Sequence, residues 1–363
     1  MTPLRTRMVR LISAAGPLSV ADYMAHCLFD PEHGYYTTRE PFGAAGDFTT
    51  APEISQMFGE LIAVWMAGAW QAAGAPAPFV LAEIGPGRGT LMKDMLRALS
   101  HAAPRMLSAA RIHLVETSPR LRDVQKRTLA NSAAEPIWVS DIDQLPQMPF
   151  FIVGNELFDA VPQRQYVKAG QRWRERMVGL DDEGQLCFVA GSGGLAPDLL
   201  PADAESAPEG AIVEISPARE ALMTRIATRI ASDGGVGLFL DYGYFGPALG
   251  DTLQALRRHA FDDVLAHPGE ADITSHVDFA TLARAAEAAG LQTHSMEQGA
   301  FLLQMGLLER AGALGARADA ATRQRLQSEV DRLARPEQMG RLFKALMISR
   351  PGTALPAVDR MDD

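Results

Sequence analysis

Three glycines fall within five positions in "LAEIGPGRGT" (81–90): Gly85, Gly87 and Gly89 follow an apolar run that carries one acid, Glu83. A strand that turns through glycines into a helix N-terminus lets a ligand approach the backbone without Cβ clashes. Dinucleotide sites do this with G-x-G-x-x-G and seat a pyrophosphate. Here the spacing is G-x-G-x-G, and Thr90 stands where the third dinucleotide glycine would fall. Glu83, two positions ahead of Gly85, suits a cation better than an anion. A second acid, Glu116, closes the apolar run "RIHLVE" 33 residues after Glu83. A carboxylate at that strand tip suits ribose hydroxyls, as in dinucleotide folds.

S-adenosylmethionine brings an α-ammonium and no phosphate, so it fits these residues better than NAD(P). Acid-x-G-x-G-x-G is the pattern of class I methyltransferases, a motif that needs its structural setting to carry weight. The candidate cofactor residues are Glu83, Gly85, Pro86, Gly87, Gly89, Thr90, Glu116 and Thr117. Asp141 and Ile142 of "VSDIDQLP" join them for the adenine amino group and ring; a solvated loop acid is the competing reading for Asp141.

The elements that must hold these residues alternate. Strands are expected at 79–84, 111–115, 137–139, 150–153 and 236–240, with helices at 90–99, from Ser118–Pro119 onward, and at 217–231. Short apolar strands separated by helices indicate a doubly wound α/β sheet with parallel strands. Residues 163–190 read as β-hairpins with turns at Ala169–Gly170 and Asp182–Gly184, 191–211 as a polar loop, and 251–276 as an irregular insertion. One helix is expected from Pro52 to about 70. Further on come a helix at 278–289, a strand near 291–295, a helical region at 302–334 and a last strand at 341–349. An N-terminal amphipathic helix should turn Leu4, Met8, Leu11 and Ile12 inward, and Ser19 and Asp22 have capping-box spacing. The organisation expected is an N-terminal extension with a lid loop (1–74), a methyltransferase domain (75–350) with insertions at 163–211 and 251–276, and a flexible tail (351–363).

The chain of 363 residues carries a formal charge of −10, which argues against nucleic-acid binding and anionic membrane surfaces. No apolar run reaches the length of a membrane span, so no membrane insertion is expected. Cys27 and Cys187 lie far apart and read as free thiols. His259, His267 and His276 lack metal-ligand spacing, and no metal is expected.

With those residues in view, the chain resembles the MidA-type class I methyltransferases, a family that includes a mitochondrial complex I assembly protein that dimethylates an arginine symmetrically. The resemblance spans roughly residues 18–349. It is carried by "HGYYT" (33–37), "GDFTTAPEISQMFGE" (46–60), "EIGPGRGTLMKDMLR" (83–97), "GNELFDAVP" (154–162), "DYGY" (241–244), "HPGEADITSHVDF" (267–279) and "QGAFLLQMG" (298–306). It implies a seven-stranded sheet, S-adenosylmethionine as cofactor and a protein arginine as acceptor. For that acceptor Glu156 is the first carboxylate and Asp159 the second, with Asn155 positioning beside the cofactor; a turn or helix cap is the alternative for Asp159. Tyr36, Asp47, Phe48, Thr50 and Glu53 form a possible lid, whose helix N-terminus could receive the cofactor's carboxylate. Asp241 and Tyr242 lie on the same rim, Tyr242 as a wall of the acceptor slot or as core. The first motif beginning near residue 18 reads as bacterial and cytoplasmic. An assembly chaperone with little turnover and a small-molecule methyltransferase are the alternatives, and monomer and homodimer are both open.

Overall fold

The computed structural model describes residues 2–38 and 50–358. The chain folds into two compact units. One holds residues 1–48, 158–222 and 244–281; the other holds 49–157, 223–243 and 282–363.

The second unit contains the parallel sheet. Its strands are β1 (Phe79–Ile84), β2 (Ala110–Val115), β3 (Ile137–Val139), β4 (Phe150–Asn155), β5 (Gly235–Tyr244), β6 (Gln292–Glu297) and β7 (Phe343–Ser349). They run in the order β6-β7-β5-β4-β1-β2-β3. β1 through β5 pair in parallel, whereas β7 is antiparallel to both β5 and β6. Every residue of β1 and β4 is buried. Continuous apolar strands of this kind belong to parallel sheets covered on both faces. The strand order reverses between β1 and β4, and ligands bind beyond the strand tips at such a reversal.

Two helices of this unit meet the glycine loop, α1 (Ala51–Ile54) and α3 (Thr90–Ala102), and α2 (Gln56–Ala72) packs on α3. The helix expected as one from Pro52 is broken at Ser55, which is extended (φ −154°, ψ 137°) and whose hydroxyl accepts the Met57 N–H to cap α2. Serine competes well for such a cap, which the apolar periodicity alone does not reveal. A fourth helix, α4 (Pro119–Thr128), opens as expected with Ser118 as cap and proline at its first turn. β5 extends to Tyr244, four residues past its expected end, and the region 302–334 resolves into three helices starting at Gln298.

Residues 351–358, expected to fray, are seated instead. Leu355 and Ala357 are buried, the Trp65 indole N–H donates to the Pro356 carbonyl at 3.0 Å, and Gln292 Nε2 donates to the Thr353 carbonyl at 2.7 Å. A Cβ on Gly68 would lie 2.6 Å from Pro356 Cγ, so glycine at that point of α2 makes room for the segment.

The first unit is antiparallel. Arg172–Leu180 is flanked by Leu18–Ser19, Arg164–Ala169 and Leu186–Gly194, and Ile212–Ile215 pairs with Arg164–Ala169. The expected hairpins are present. The 251–276 insertion is more regular than expected, with Gln254–Arg257 pairing both Ala260–Asp262 and Asp272–Thr274. The N-terminal helix Pro3–Ala15 buries Leu4, Met8 and Ile12, while Leu11 is exposed, one position off the apolar stripe. Ser19 accepts the Asp22 N–H, and its hydroxyl donates to the Asp22 carboxylate at 2.6 Å, in place of the reciprocal backbone bond of a full capping box.

Candidate functional site

The glycine loop is built as its composition demands. Gly85, Gly87 and Gly89 have φ of 65°, 52° and 82°, a region costly for residues with a Cβ. A Cβ on Gly85 would also stand 3.0 Å from Leu157 Cδ1. The Gly85 N–H donates to the Val115 carbonyl at 3.1 Å, tying the loop to the tip of β2, and Gly89 caps α3. Gly85 is exposed and Pro86 buried, so the backbone faces outward on a packed support.

Glu83 lies beneath this loop, 3% exposed. The Met92 N–H of α3 reaches its carboxylate, yet Oε2 has no partner among the described residues. Burial pushes its carboxyl up to about 8, against the pull of that N–H. At the tip of β4, Asn155 is 9% exposed and its Oδ1 is equally without a partner. Two buried acceptors left unsatisfied on neighbouring parallel strands call for a donor from outside the chain. An ammonium meets that demand, so the residues present fit S-adenosylmethionine.

Glu116 follows β2 and is 8% exposed. Oε1 accepts the Ser118 N–H at 2.7 Å and Oε2 accepts Gln125 Nε2 at 3.0 Å. Burial raises its carboxyl, and the Ser118, Gln125 and Thr117 donors oppose the rise. Thr117 itself is exposed. Asp141 is about half exposed. Its Oδ1 accepts the Asp143 N–H and an Arg225 guanidinium N–H, which together hold its carboxyl below the usual range. Arg225 also reaches Asp143 at 2.8 Å. The carboxylate proposed for adenine is thus occupied by a cation from the helix Pro217–Asp233, while Ile142 beside it is buried.

Glu156 directly follows β4 with φ of 50°, an uncommon conformation for a residue with a side chain. Its Oε1 accepts Asn155 Nδ2 at 3.0 Å and the Ala51 N–H at 3.2 Å. The start of α1 therefore holds the Glu156 carboxylate, where a cofactor carboxylate was expected. Thr50 makes no side-chain cap there. Glu53 turns to the glycine loop: Thr90 Oγ1 donates to it at 2.5 Å and Arg88 approaches to 3.7 Å. Asp241 is fully buried and accepts the Tyr242 N–H; Tyr242 packs edge-on against Phe343, 5.4 Å between centroids. Both lie in β5 just past Leu240, which pairs in parallel register with Asn155 at the tip of β4.

Two predicted residues belong to the first unit. Asp159 is 5% exposed in a turn, its carboxylate accepting the Ala160 N–H and its carbonyl accepting from Arg219 and Ser275. Tyr36 is stacked on Phe29, and its hydroxyl donates to Asp272 Oδ1 at 3.0 Å. Burial, then Asp272 and Asp159, raise that phenol well above its ordinary value. Asp47 and Phe48 lie outside the described residues. His267 is paired with Asp262 at 2.7 Å, and both cysteines are free thiols. Among the described residues no group of three or more His, Cys, Asp or Glu side chains is arranged to hold a metal.

Sequence reasoning missed Gln125, Trp138 and Arg225. Gln125 carried a signal: in "LRDVQKRTL" it shares the apolar stripe with Leu121, Val124 and Leu129, a polar residue where packing wants a hydrocarbon.

The strand order, the glycine turn at the tip of β1 and the carboxylate beneath it define a class I S-adenosylmethionine-dependent methyltransferase. A family model described as "Putative S-adenosyl-L-methionine-dependent methyltransferase" matches residues 61–297. The chain is 34% identical to the protein arginine methyltransferase NDUFAF7, mitochondrial, of Rattus norvegicus, over 99% of this chain and 92% of that protein. It is 34% identical to the human counterpart over 94% and 82%. A crystal structure of a superfamily member from Burkholderia thailandensis, bound to S-adenosyl-homocysteine, superposes with a TM-score of 0.83 at 29% identity, covering 98% of this chain and 94% of that one. The chain belongs to the MidA-type family of class I S-adenosylmethionine-dependent methyltransferases. No helix among the described residues is long and apolar enough to cross a membrane. The cytoplasmic compartment expected from sequence gains no support from the curated relatives, which are mitochondrial by name.

Proposed function

We propose that the chain methylates arginine side chains of a protein acceptor, with symmetric dimethylarginine as the product that the family resemblance implies. The observation that carries this reading is Glu156. A carboxylate is held at the tip of β4 by a left-handed backbone, Asn155 and the Ala51 N–H, in a chain matched over nearly its full length by protein arginine methyltransferases. Positive φ at a non-glycine residue costs free energy and is concentrated at functional positions.

Bound S-adenosylmethionine supplies a methyl group on a positively charged sulfur that leaves as a neutral thioether. Glu83 and Asn155 would receive its ammonium, Glu116 its ribose hydroxyls, and the Gly85–Gly89 backbone its methionine portion. The acceptor guanidinium has a pKa above about 12 and offers only donors, in a planar fork. The Glu156 carboxylate would accept two of those N–H groups, turn one nitrogen toward the methyl, and take up that nitrogen's proton as its bond to the methyl forms and the sulfur–methyl bond breaks. Alignment of this kind is worth up to ~7–11 kcal/mol of the barrier. Asp159, three positions later in the chain, is the proposed second carboxylate. The bacterial cytoplasm is kept as the proposed compartment.

Methylarginine proteomics of cells carrying the wild-type chain or Glu156→Gln tests the reading. Loss of defined dimethylarginine sites in the variant, with S-adenosyl-homocysteine binding retained, is the expected outcome. An unchanged methylarginine profile beside a lost methylated small molecule would replace the protein acceptor with a metabolite.

A further inference from the structure

We infer that Gln125 is the positioning residue of the cofactor site, holding Glu116 in the geometry that reads the ribose. Gln125 is fully buried on α4. Its Nε2 donates to Glu116 Oε2 at 3.0 Å and to the Gly87 carbonyl at 2.8 Å, which uses both amide hydrogens. Its Oε1 accepts the Trp138 indole N–H at 2.9 Å. An indole nitrogen only donates, whereas a carbonyl and a carboxylate only accept, so the three partners leave the amide a single orientation. Cγ of Gln125 lies 3.5 Å from where a Cβ on Gly89 would stand, so the stem is packed beside the glycine turn.

One side chain thereby joins the loop after β1, the acid after β2 and the indole on β3. With Ser118 holding Oε1 and Gln125 holding Oε2, the Glu116 carboxylate cannot rotate without breaking a hydrogen bond to a charged group. Trp138 fixes the amide, the amide fixes the acid, and the acid presents its remaining lone pairs to the ribose.

This rests on the ribose role proposed for Glu116, and the experiment separates the two. Calorimetric affinities for S-adenosyl-homocysteine and its 2′-deoxy analogue are measured on wild type, Glu116→Gln and Gln125→Met. The wild type should prefer the ribose ligand, and both variants should lose that preference by about five-fold or more. In turnover with S-adenosylmethionine, Gln125→Met should raise KM and leave kcat within about two-fold. If Glu116→Gln keeps the preference, the reading of Glu116 falls. If Glu116→Gln loses it and Gln125→Met keeps it, or weakens both ligands equally, the positioning role alone falls. Should Gln125→Met fold poorly, Trp138→Phe frees the amide while leaving both of its donor bonds. It should erode the same preference by a smaller factor, and an unchanged preference in Trp138→Phe would overturn the inference.

Discussion

Glu60 and Glu83 are two buried carboxylates that both engage α3, and they are treated in opposite ways. Glu60, on α2, is 6% exposed and receives Arg97 at 3.0 Å together with both a 2.7 Å and a 3.0 Å bond from Arg310. Glu83, 3% exposed, receives one N–H of α3 and leaves an oxygen without a partner. Burial is the same; satisfaction is not. A buried acid gripped by two guanidinium groups is a fastener between elements. A buried acid with an orphaned oxygen costs stability until a donor arrives, and it lies where the sequence places a cofactor.

The sharpest way to break this contrast is to neutralise each acid. Glu60→Gln leaves Arg310 without its counter-charge and Arg97 with Asp94 alone, at 2.8 Å. Removing one member of a fully buried pair costs ~3–5 kcal/mol, and since both arginines are about two-fifths exposed the expected loss here is ~2 kcal/mol. Denaturant unfolding should show that loss, while the affinity of the folded protein for S-adenosyl-homocysteine stays within about two-fold. A larger affinity change would make Glu60 part of the site.

Glu83→Gln should do the reverse. It replaces a buried acid that the fold leaves partly unsatisfied, so stability at neutral pH is kept or rises. It also removes the carboxylate that meets the ligand's ammonium, so affinity should fall ~10- to 100-fold. The pH dependence sharpens this. The Glu83 carboxyl is raised from 4.5 to about 8, so the native state retains a proton that the unfolded chain releases. Its stabilising contribution is complete below pH 4.5 and is lost as pH rises through 8. The stability advantage of Glu83→Gln over wild type should therefore grow between pH 5 and 8. At pH 7, ligand binding to wild type should release close to one proton, seen as a buffer-dependent binding enthalpy, and the variant should release none. Equal proton release by both proteins would remove Glu83 from the ammonium site.

Much of this is legible in the sequence. Spacing of glycines and acids located the β1 and β2 tips, because backbone conformation and strand polarity are local consequences of composition. What failed had a physical cause in each case. Ser55 broke a helix that its neighbours' apolar periodicity continued. Leu355 and Ala357 look like tail residues, yet both are buried on either side of Pro356, which packs against Gly68. Gln125 is invisible as a bridge because its three partners come from three separate segments, the loop after β1, the end of β2 and β3 itself, and only the sheet brings those together.

Asp141 tests the weak end of the same comparison. The sequence put a strand-tip acid beside the adenine, and the structure gives that acid a guanidinium of its own. Exposed ion pairs of this kind contribute ~0–1 kcal/mol. Asp141→Asn keeps an oxygen for the Asp143 N–H and gives up the charge facing Arg225. It should change stability by less than ~0.5 kcal/mol and affinity for S-adenosyl-homocysteine by less than about three-fold. Arg225→Ala removes the competitor instead. If Asp141 is only the partner of Arg225, both variants are near neutral in calorimetry. If Asp141 also accepts from the adenine amino group, Arg225→Ala tightens binding while Asp141→Asn weakens it. That opposite-signed pair would move Asp141 from the Glu60 kind of acid to the Glu83 kind.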